Sequence, residues 1–196
     1  MTKGRIEAFS DGVIAIIITI MVLELKVPHG DGHEVGLGTL LPLLPVFLSY
    51  VLSFINVGIY WNNHHHMFHA VKHVGGWVLW ANLHLLFWLS LMPFATAFMG
   101  ENHFAPVTVA IYAADLMMCA ISYTLLVLAL LAEHGAGSDF AKALGSDRKG
   151  KISLTCYAAA VALAFVQPVV AMALLAVVAA IWIVPDRRFA RAAERG

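Results

Sequence analysis

Histidines cluster at one place in the sequence, and their spacing suits metal chemistry. His65, His69 and His73 recur at every fourth residue, which places three imidazoles on one face of a helix. Imidazoles one helical turn apart can share a transition-metal ion. The cluster from His64 to His73 therefore supports one hypothesis, a transition-metal transporter or a metal-dependent membrane enzyme. The sequence has no His-Glu-x-x-His motif, and no carboxylate follows the cluster before Glu101.

A second group of polar residues stands at the start of the first apolar segment. If a helix already runs from about Arg5, then Arg5, Ser10 and Asp11 lie at or within the inner leaflet, where ionisable groups face protein or water. Alternatively, Ser10 or Asp11 caps a helix that begins there. The helix from Gly12 to Lys26 would then span only about 22 Å, which is short for a membrane crossing.

Under the first alternative these residues need polar partners inside the protein. Candidates stand at the same ends of the second and third apolar segments: Trp61, Asn62, Asn63, His64, His65, His66, Asn82 and His84. We interpret His64 and His65 as interior partners of Arg5 and Asp11 that hold the first helix against the second. Protonation of these histidines near neutral pH is then expected to change the contact.

The composition predicts an integral membrane protein. The chain has 196 residues, of which 61% are hydrophobic and 12% are charged, whereas soluble domains average about 25% charged residues. Lys and Arg total 12 and equal the 12 Asp and Glu, so no basic field exists to bind nucleic acid. Cys119 and Cys156 stand far apart in apolar segments and are interpreted as small buried hydrophobic residues.

Apolar segments long enough to cross a bilayer predict an all-α fold with six transmembrane helices in one domain, residues 1–196. The last charge-free run, from Ile152 to Pro185, would be about 51 Å long as one helix. Gln167-Pro168 interrupts it, and proline ends helices, so we divide it in two. The predicted spans are residues 5–27, 39–68, 75–99, 104–132, 151–167 and 168–185.

The distribution of positive charge predicts the orientation. With a cytoplasmic N-terminus, six alternating spans leave Lys26 as the one basic residue outside, and eleven of the twelve stay in the cytoplasm. Both termini are therefore expected to be cytoplasmic. A cleaved signal peptide is not expected, because no small-residue cleavage site follows the first apolar run closely.

Several of these residues form a recognisable pattern. Arg5-x-x-x-Phe9-Ser10-Asp11 resembles the RxxxFSD signature at the start of the first helix in the transmembrane protein 175 (TMEM175) family of potassium channels. The second span ends Phe54-x6-Trp61-x-x-His64-His65, and the third runs from Trp80-x-Asn82-x-His84 to Pro93-Phe94-x-Thr96, which are also similar to the family pattern. The last three spans resemble the family in hydropathy alone.

The resemblance implies a potassium-permeable cation channel with K⁺ as the permeant ion and no cofactor. It implies six helices in one repeat, a homotetramer in the bilayer, and a pore at the oligomer axis, as in prokaryotic members. The expected location is thus a prokaryotic plasma membrane, with multiple crossings. The signature-motif network carried over is Arg5, Phe9, Ser10, Asp11, Trp61, His64, His65 and Asn82.

In the family the first helix lines the pore, and its hydrophobic side chains form the constriction. By this resemblance Ile16, five positions after Asp11, is the narrow ring, and Ile20 and Leu23 continue the same stripe, with Val27 as a further candidate. Thr19 stands one position off the stripe, and its hydroxyl oxygen is available to a dehydrating ion. A stripe of this kind on a membrane helix also suits contact with lipid, so the signature is what favours the pore. The hydrophobic gate would close by dewetting.

Three other features of the sequence bear on the function. Val35-Gly-Leu-Gly38 is similar to the Val-Gly-Tyr-Gly core of ordinary potassium filters, but it lacks the preceding Thr and a pore helix, so we do not interpret it as a filter. Asp115 is expected to face the helical bundle and to bond to Tyr112, Ser122 or the backbone. No nucleophile motif such as G-x-S-x-G is present, so an enzyme is not predicted. An accessory subunit without transport of its own remains a third class.

Overall fold

The computed structural model describes residues 2–27, 36–135, 137–144 and 147–183, and these residues contain helices and no strands. Seven α-helices follow one another, with short 3₁₀ segments at Val22–Glu24 and Leu37–Leu43. Their bounds are α1 Lys3–Met21, α2 Leu44–His69, α3 Gly76–Glu101, α4 Pro106–His134, α5 Asp139–Leu144, α6 Arg148–Ala164 and α7 Pro168–Ile183. The fold is therefore all-α, as predicted.

The first helix begins before the signature residues. α1 starts at Lys3, with Thr2 as the residue before its first turn, and it continues through the 3₁₀ turn to Glu24. Arg5, Ser10 and Asp11 are thus helical, and neither Ser10 nor Asp11 caps a later start. The 22 residues from Lys3 to Glu24 span about 33 Å, which is enough to cross the hydrocarbon core.

Four segments are long and apolar enough to cross a membrane. They are Lys3–Glu24, Leu37–His69, Gly76–Glu101 and Pro106–His134. α6 and α7 are shorter, with 17 and 16 residues. The chain turns between them at residues 165–167, where the Gln167 amide donates to the Leu163 carbonyl oxygen at 2.7 Å. The proline at the start of α7 therefore breaks the helix where the sequence predicts a break.

The helices alternate in direction, so basic residues gather at one end of the bundle. This end, here called the basic end, carries the starts of α1, α3 and α6 and the ends of α2, α4 and α7. Lys3 donates there to the Val71 carbonyl oxygen at 3.0 Å, and Lys149 donates to that of Ile181 at 3.2 Å. Lys26 lies at the opposite end, where the hydrogen bond and charge of Glu101, 2.8 Å away, raise its pKa. Arg187, Arg188, Arg191 and Arg195, together with Val184 and Pro185 of the last predicted span, lie outside the described residues.

α4 lies at the centre of the bundle and packs against α3, α6 and α7. Polar groups inside the bundle pair with one another: hydrogen bonds join Ser53 Oγ to Thr96 Oγ1 at 2.6 Å and to the Tyr112 hydroxyl at 2.9 Å. All three side chains are buried. This network links α2, α3 and α4, and pairing of this kind is what a polar group away from water requires.

α3 approaches α2 closely at Gly100. A Cβ atom built there would stand 2.7 Å from Val46 Cα and 3.1 Å from Ser49 Oγ. Gly100→Ala must push the two helices apart, and we expect it to lower the free energy of unfolding by about 1–3 kcal/mol. Thermal unfolding of the detergent-solubilised protein measures the change. Gly58→Ala in α2 is the control, because no heavy atom lies within 4 Å of its built Cβ; equal loss in both variants would contradict the prediction.

Candidate functional site

α1 has two unlike faces. Ile6, Ser10, Ile14, Ile17 and Met21 are buried against the rest of the chain. The opposite face is open within a single chain: the side chains of the predicted pore stripe are exposed, Ile16 at 57%, Ile20 at 43% and Leu23 at 71%. Phe9 at 50% and Val27 at 75% are exposed as well. An exposed apolar stripe of this length needs either lipid or another protein surface to cover it.

Thr19 belongs to the exposed face, and its hydroxyl is oriented by the helix itself. Thr19 Oγ1 lies 3.0 Å from the carbonyl oxygens of both Ala15 and Ile16 and donates its hydrogen to them. The lone pairs of Oγ1 then point away from the helix backbone. Thr19 can therefore offer one oxygen acceptor on the surface that the exposed stripe forms.

A chain of buried hydrogen bonds fixes the first half of α1. Asn82 Nδ2 donates to Ser10 Oγ at 2.9 Å, and His64 Nε2 lies 2.8 Å from Asn82 Oδ1. Because Oδ1 can only accept, Nε2 of His64 carries the hydrogen. The three side chains are at most 2% exposed, and the His64 ring stacks on Phe68 with centroids 4.4 Å apart. These hydrogen bonds link α1, α2 and α3 at the basic end.

A second bond to α1 starts from α2. Trp61 Nε1 donates to Asp11 Oδ1 at 2.9 Å. The Trp61 ring stacks on His65 with centroids 6.0 Å apart, and His65 stacks on His69 at 5.8 Å. Because Trp61, His65 and His69 succeed one another by single helical turns, their rings form a row along the outside of α2.

The pairing expected for the two histidines is therefore wrong in part. His64 is buried but bonds to Asn82 instead of Arg5 or Asp11, and His65 is exposed. Arg5 is also exposed, and its side chain forms no hydrogen bond or ion pair with the described residues. Consecutive residues on a helix point about 100° apart, so the rotation of α2 that buries His64 leaves His65 exposed.

The metal cluster of the alternative hypothesis, formed by His65, His69 and His73, does not form in the described residues. α2 ends at His69, so His73 leaves the helical face, and its ring lies over His134 with centroids 4.5 Å apart. Its Nε2 is 3.6 Å from Glu133 Oε1. No group of three or more His, Cys, Asp or Glu side chains in the described part of the chain is arranged to hold a metal ion.

The structure also describes most of the segment that is similar to a potassium filter, and it describes His84. In Val35-Gly-Leu-Gly38, Val35 lies outside the described residues, and Leu37 and Gly38 belong to the 3₁₀ helix Leu37–Leu43. His84 is not part of the network around α1, because it accepts a hydrogen bond from Trp88 Nε1 at 3.1 Å within α3. The network of Ser53, Thr96 and Tyr112 was not predicted, although hydroxyl residues inside apolar runs were its signal in the sequence.

Comparison with known proteins gives one consistent result. Residues 5–93 match the family model described as endosomal/lysosomal potassium channel TMEM175. The matched range contains α1, α2 and the signature residues, and it ends within α3 at Pro93.

Similar proteins cover more of the chain. A potassium channel of Chryseobacterium sp. is 54% identical over 188 residues, which are 96% of each chain. A potassium channel of Chamaesiphon minutus is 39% identical over 150 residues, 74% of this chain and 71% of that one. The crystal structure of a lysosomal potassium-selective channel TMEM175 homolog from the same organism superposes with a TM-score of 0.81 and 32% identity, over 94% of this chain and 97% of that chain.

Proposed function

The chain belongs to the TMEM175 family, and from this we propose that it forms a potassium-permeable cation channel in a prokaryotic plasma membrane. Relatives named potassium channels support this function over almost the whole chain. No observation on the described residues favours the alternative of a transition-metal transporter, since no metal-binding group is present among them.

The exposed face of α1 is the observation on which the pore assignment rests. Ile16, Ile20 and Leu23 are exposed on one side of a helix whose other side is buried. We propose that this face lines the pore and that Ile16 forms its narrowest ring. An apolar ring holds water poorly, so a small change in its radius opens or closes the path to a hydrated ion.

One chain presents this face but does not surround it, so the proposed pore requires several copies. Four copies around a four-fold axis would bring four α1 helices together, with the Ile16 side chains facing one another. Thr19 Oγ1 would add a ring of oxygen acceptors next to the constriction. An isoleucine ring has no carbonyl oxygen to replace the hydration shell of K⁺, so the selectivity we expect is modest and depends on Thr19 and backbone carbonyls.

Two hydrogen bonds near the basic end, one buried and one exposed, give α1 its orientation in this proposal. Ser10 is held by Asn82 and Asp11 by Trp61, and both bonds lie on the side of α1 away from Ile16. They turn the apolar stripe outward from the subunit. We therefore propose that the signature residues position the pore helix and do not themselves contact the permeant ion.

We further propose that α6 and α7 cross the membrane as well as α1 to α4 and that both termini are cytoplasmic. The turn between α6 and α7 would lie at the side of the membrane opposite to the basic end, and the positive-inside rule places the basic end in the cytoplasm. Since α6 and α7 are short, the bilayer would thin around them or the pair would lie partly inside the oligomer.

Ion flux from liposomes tests the function directly. Vesicles that contain the purified protein are loaded with K⁺ or with Na⁺, and the outflow of each ion is compared with zinc uptake into matched vesicles. We expect K⁺ to leave faster than Na⁺ and no zinc to enter. Zinc uptake without K⁺ flux would support the metal transporter, and the absence of any flux from well-folded protein would support an accessory subunit.

A further inference from the structure

Asp115 is an acidic side chain in an unusual position. Of the acidic side chains that the structure describes, it alone is buried, with 6% of its surface exposed. It follows the start of α4 by nine residues, or about 14 Å along the helix axis, which places it within the hydrocarbon core of a spanning helix. Both of its carboxylate oxygens are inaccessible and have no hydrogen-bond partner in the described chain.

The partners expected from the sequence are engaged elsewhere. The Tyr112 hydroxyl bonds to Ser53 at 2.9 Å, and Ser122 Oγ donates to the Met118 carbonyl oxygen at 2.7 Å. Both lie within two turns of Asp115 on the same helix. The carboxyl group is thus surrounded by protein that leaves it unpaired.

Among the residues that the structure describes, no positive charge compensates the carboxyl group. The ionisable groups that interact with it electrostatically are Tyr112 and Cys119 on α4 and Tyr60 on α2. Tyr157 of α6 interacts with Tyr112 and Cys119 in turn. α7 contains no ionisable residue, and on α3 His84 bonds to Trp88 and Glu101 pairs with Lys26. An ionised carboxylate in such surroundings is costly, because nothing replaces its hydration.

A cleft leads from the basic end toward this region. It lies between α2, α4, α6 and α7 and encloses about 540 Å³, including its open mouth. Its lining includes Asn56, Tyr60, Tyr123, Asp147 and Tyr157. The hydroxyls of Tyr60 and Tyr157 form no hydrogen bond with other described residues, so both can bind water in the cleft. Ala120 connects the two observations, since it lines the cleft and follows Asp115 by five residues on α4, about 7.5 Å along the helix axis.

We propose that Asp115 is a proton-binding site that exchanges its proton with the aqueous phase at the basic end through this cleft. A proton released by a hydronium ion in the cleft passes along water and the Tyr60 hydroxyl to a carboxylate oxygen, and the carboxyl group becomes neutral. The site lies inside one subunit, away from the exposed face of α1. The proposal of a proton-binding site is therefore independent of the proposed pore.

The chemistry of the site favours a proton over a metal cation. A hard cation such as Ca²⁺ takes six to eight oxygen ligands, and Asp115 offers two. The other polar groups near it are tyrosine hydroxyls and a thiol, which are weak ligands for hard ions. A proton needs only one oxygen, and it removes the charge that the surroundings do not balance.

Infrared difference spectroscopy of the full-length protein in vesicles tests the site without any transport measurement. We expect wild type to show the carbonyl stretch of a protonated carboxylic acid at neutral pH, and Asp115→Asn to lose this band. Asp147→Asn is the matched control, because Asp147 is a carboxylate at the mouth of the same cleft and asparagine can still accept the Gly150 N–H, which Asp147 Oδ1 accepts at 3.0 Å. Asp147→Asn should keep the band.

Two further variants test the route and guard against misfolding. Tyr60→Phe should keep the band but slow its shift after transfer to D₂O several-fold, because the relaying hydroxyl is gone. If Asp115→Asn does not fold, Asp115→Glu takes its place in the test. It should retain the band of a protonated carboxylic acid at a changed frequency. A band that persists in folded Asp115→Asn would overturn the proposal. So would a band that disappears when K⁺ or Na⁺ is added at constant pH, since that result indicates a cation site.

Discussion

Replacing Ile16 with asparagine is expected to raise the potassium flux and to weaken the preference for K⁺ over Na⁺. If Ile16 forms the narrowest ring, as we propose, an amide at this position holds water where isoleucine excludes it, so the barrier to a hydrated ion falls. A reduction of about 1.4 kcal/mol in this barrier would multiply the flux about tenfold. Flux of both ions from liposomes with equal amounts of reconstituted protein measures the change.

A matched control separates the pore from the lipid surface. Ile152 of α6 is exposed to a similar degree, 52% against 57% for Ile16, but it does not belong to α1. Ile152→Asn should lower stability in the bilayer and leave the ratio of K⁺ to Na⁺ flux unchanged. If Ile16→Asn reconstitutes normally and gives an unaltered flux, or if both variants behave alike, Ile16 does not line the pore.

Replacing Asn82 with leucine should destabilise the protein more than any other single change in the network around α1. Leucine has a similar size but leaves Ser10 Oγ without a donor and His64 Nε2 without an acceptor. Each buried group left unpaired costs about 1–3 kcal/mol. The thermal unfolding midpoint of the detergent-solubilised protein, followed by tryptophan fluorescence, should fall by several degrees.

Asn102 provides the comparison for this variant. Its Nδ2 donates to the Phe98 carbonyl oxygen at 2.8 Å on an exposed part of the chain, so Asn102→Leu removes an amide at the opposite end of α3 without burying an unpaired group. We expect little change in its midpoint. Equal midpoints for Asn82→Leu and Asn102→Leu would mean that water satisfies Ser10 and His64 in the variant.

The sequence predicts the helices well because each depends on local features. Long apolar runs with few charges fix the four longest helices, and one proline fixes the break before α7. The start of α1 was open between two alternatives, and the structure favours the longer helix because Ser10 finds a partner in Asn82. That partner comes from another helix, and no local pattern could identify it.

The sequence indicates which residues lie near the start of α1 better than it indicates which of them bond to one another. Trp61, His64 and Asn82 were all expected near the start of α1, and the structure brings them to Asp11 and Ser10. The error for His65 arises from helical rotation, which turns neighbouring residues to different sides. The alternative hypothesis of a metal cluster fails at His73 because α2 ends at His69, since a periodic pattern continues in sequence after the helix has stopped.

The hydrogen bonds of Ser10 and Asp11 also fix the rotation of α1 about its long axis. Apolar contacts at Ile14, Ile17 and Met21 have no preferred direction, so alone they would tolerate rotation about the long axis. A shift by a single residue turns the helix about 100°, which would exchange the roles of Ile16 and Ile17. Hydrogen bonds at Ser10 and Asp11 are directional and forbid that exchange. The hydrogen bonds of Ser10 and Asp11, in the first three turns of α1, therefore fix which side chains of the whole helix face away from the bundle.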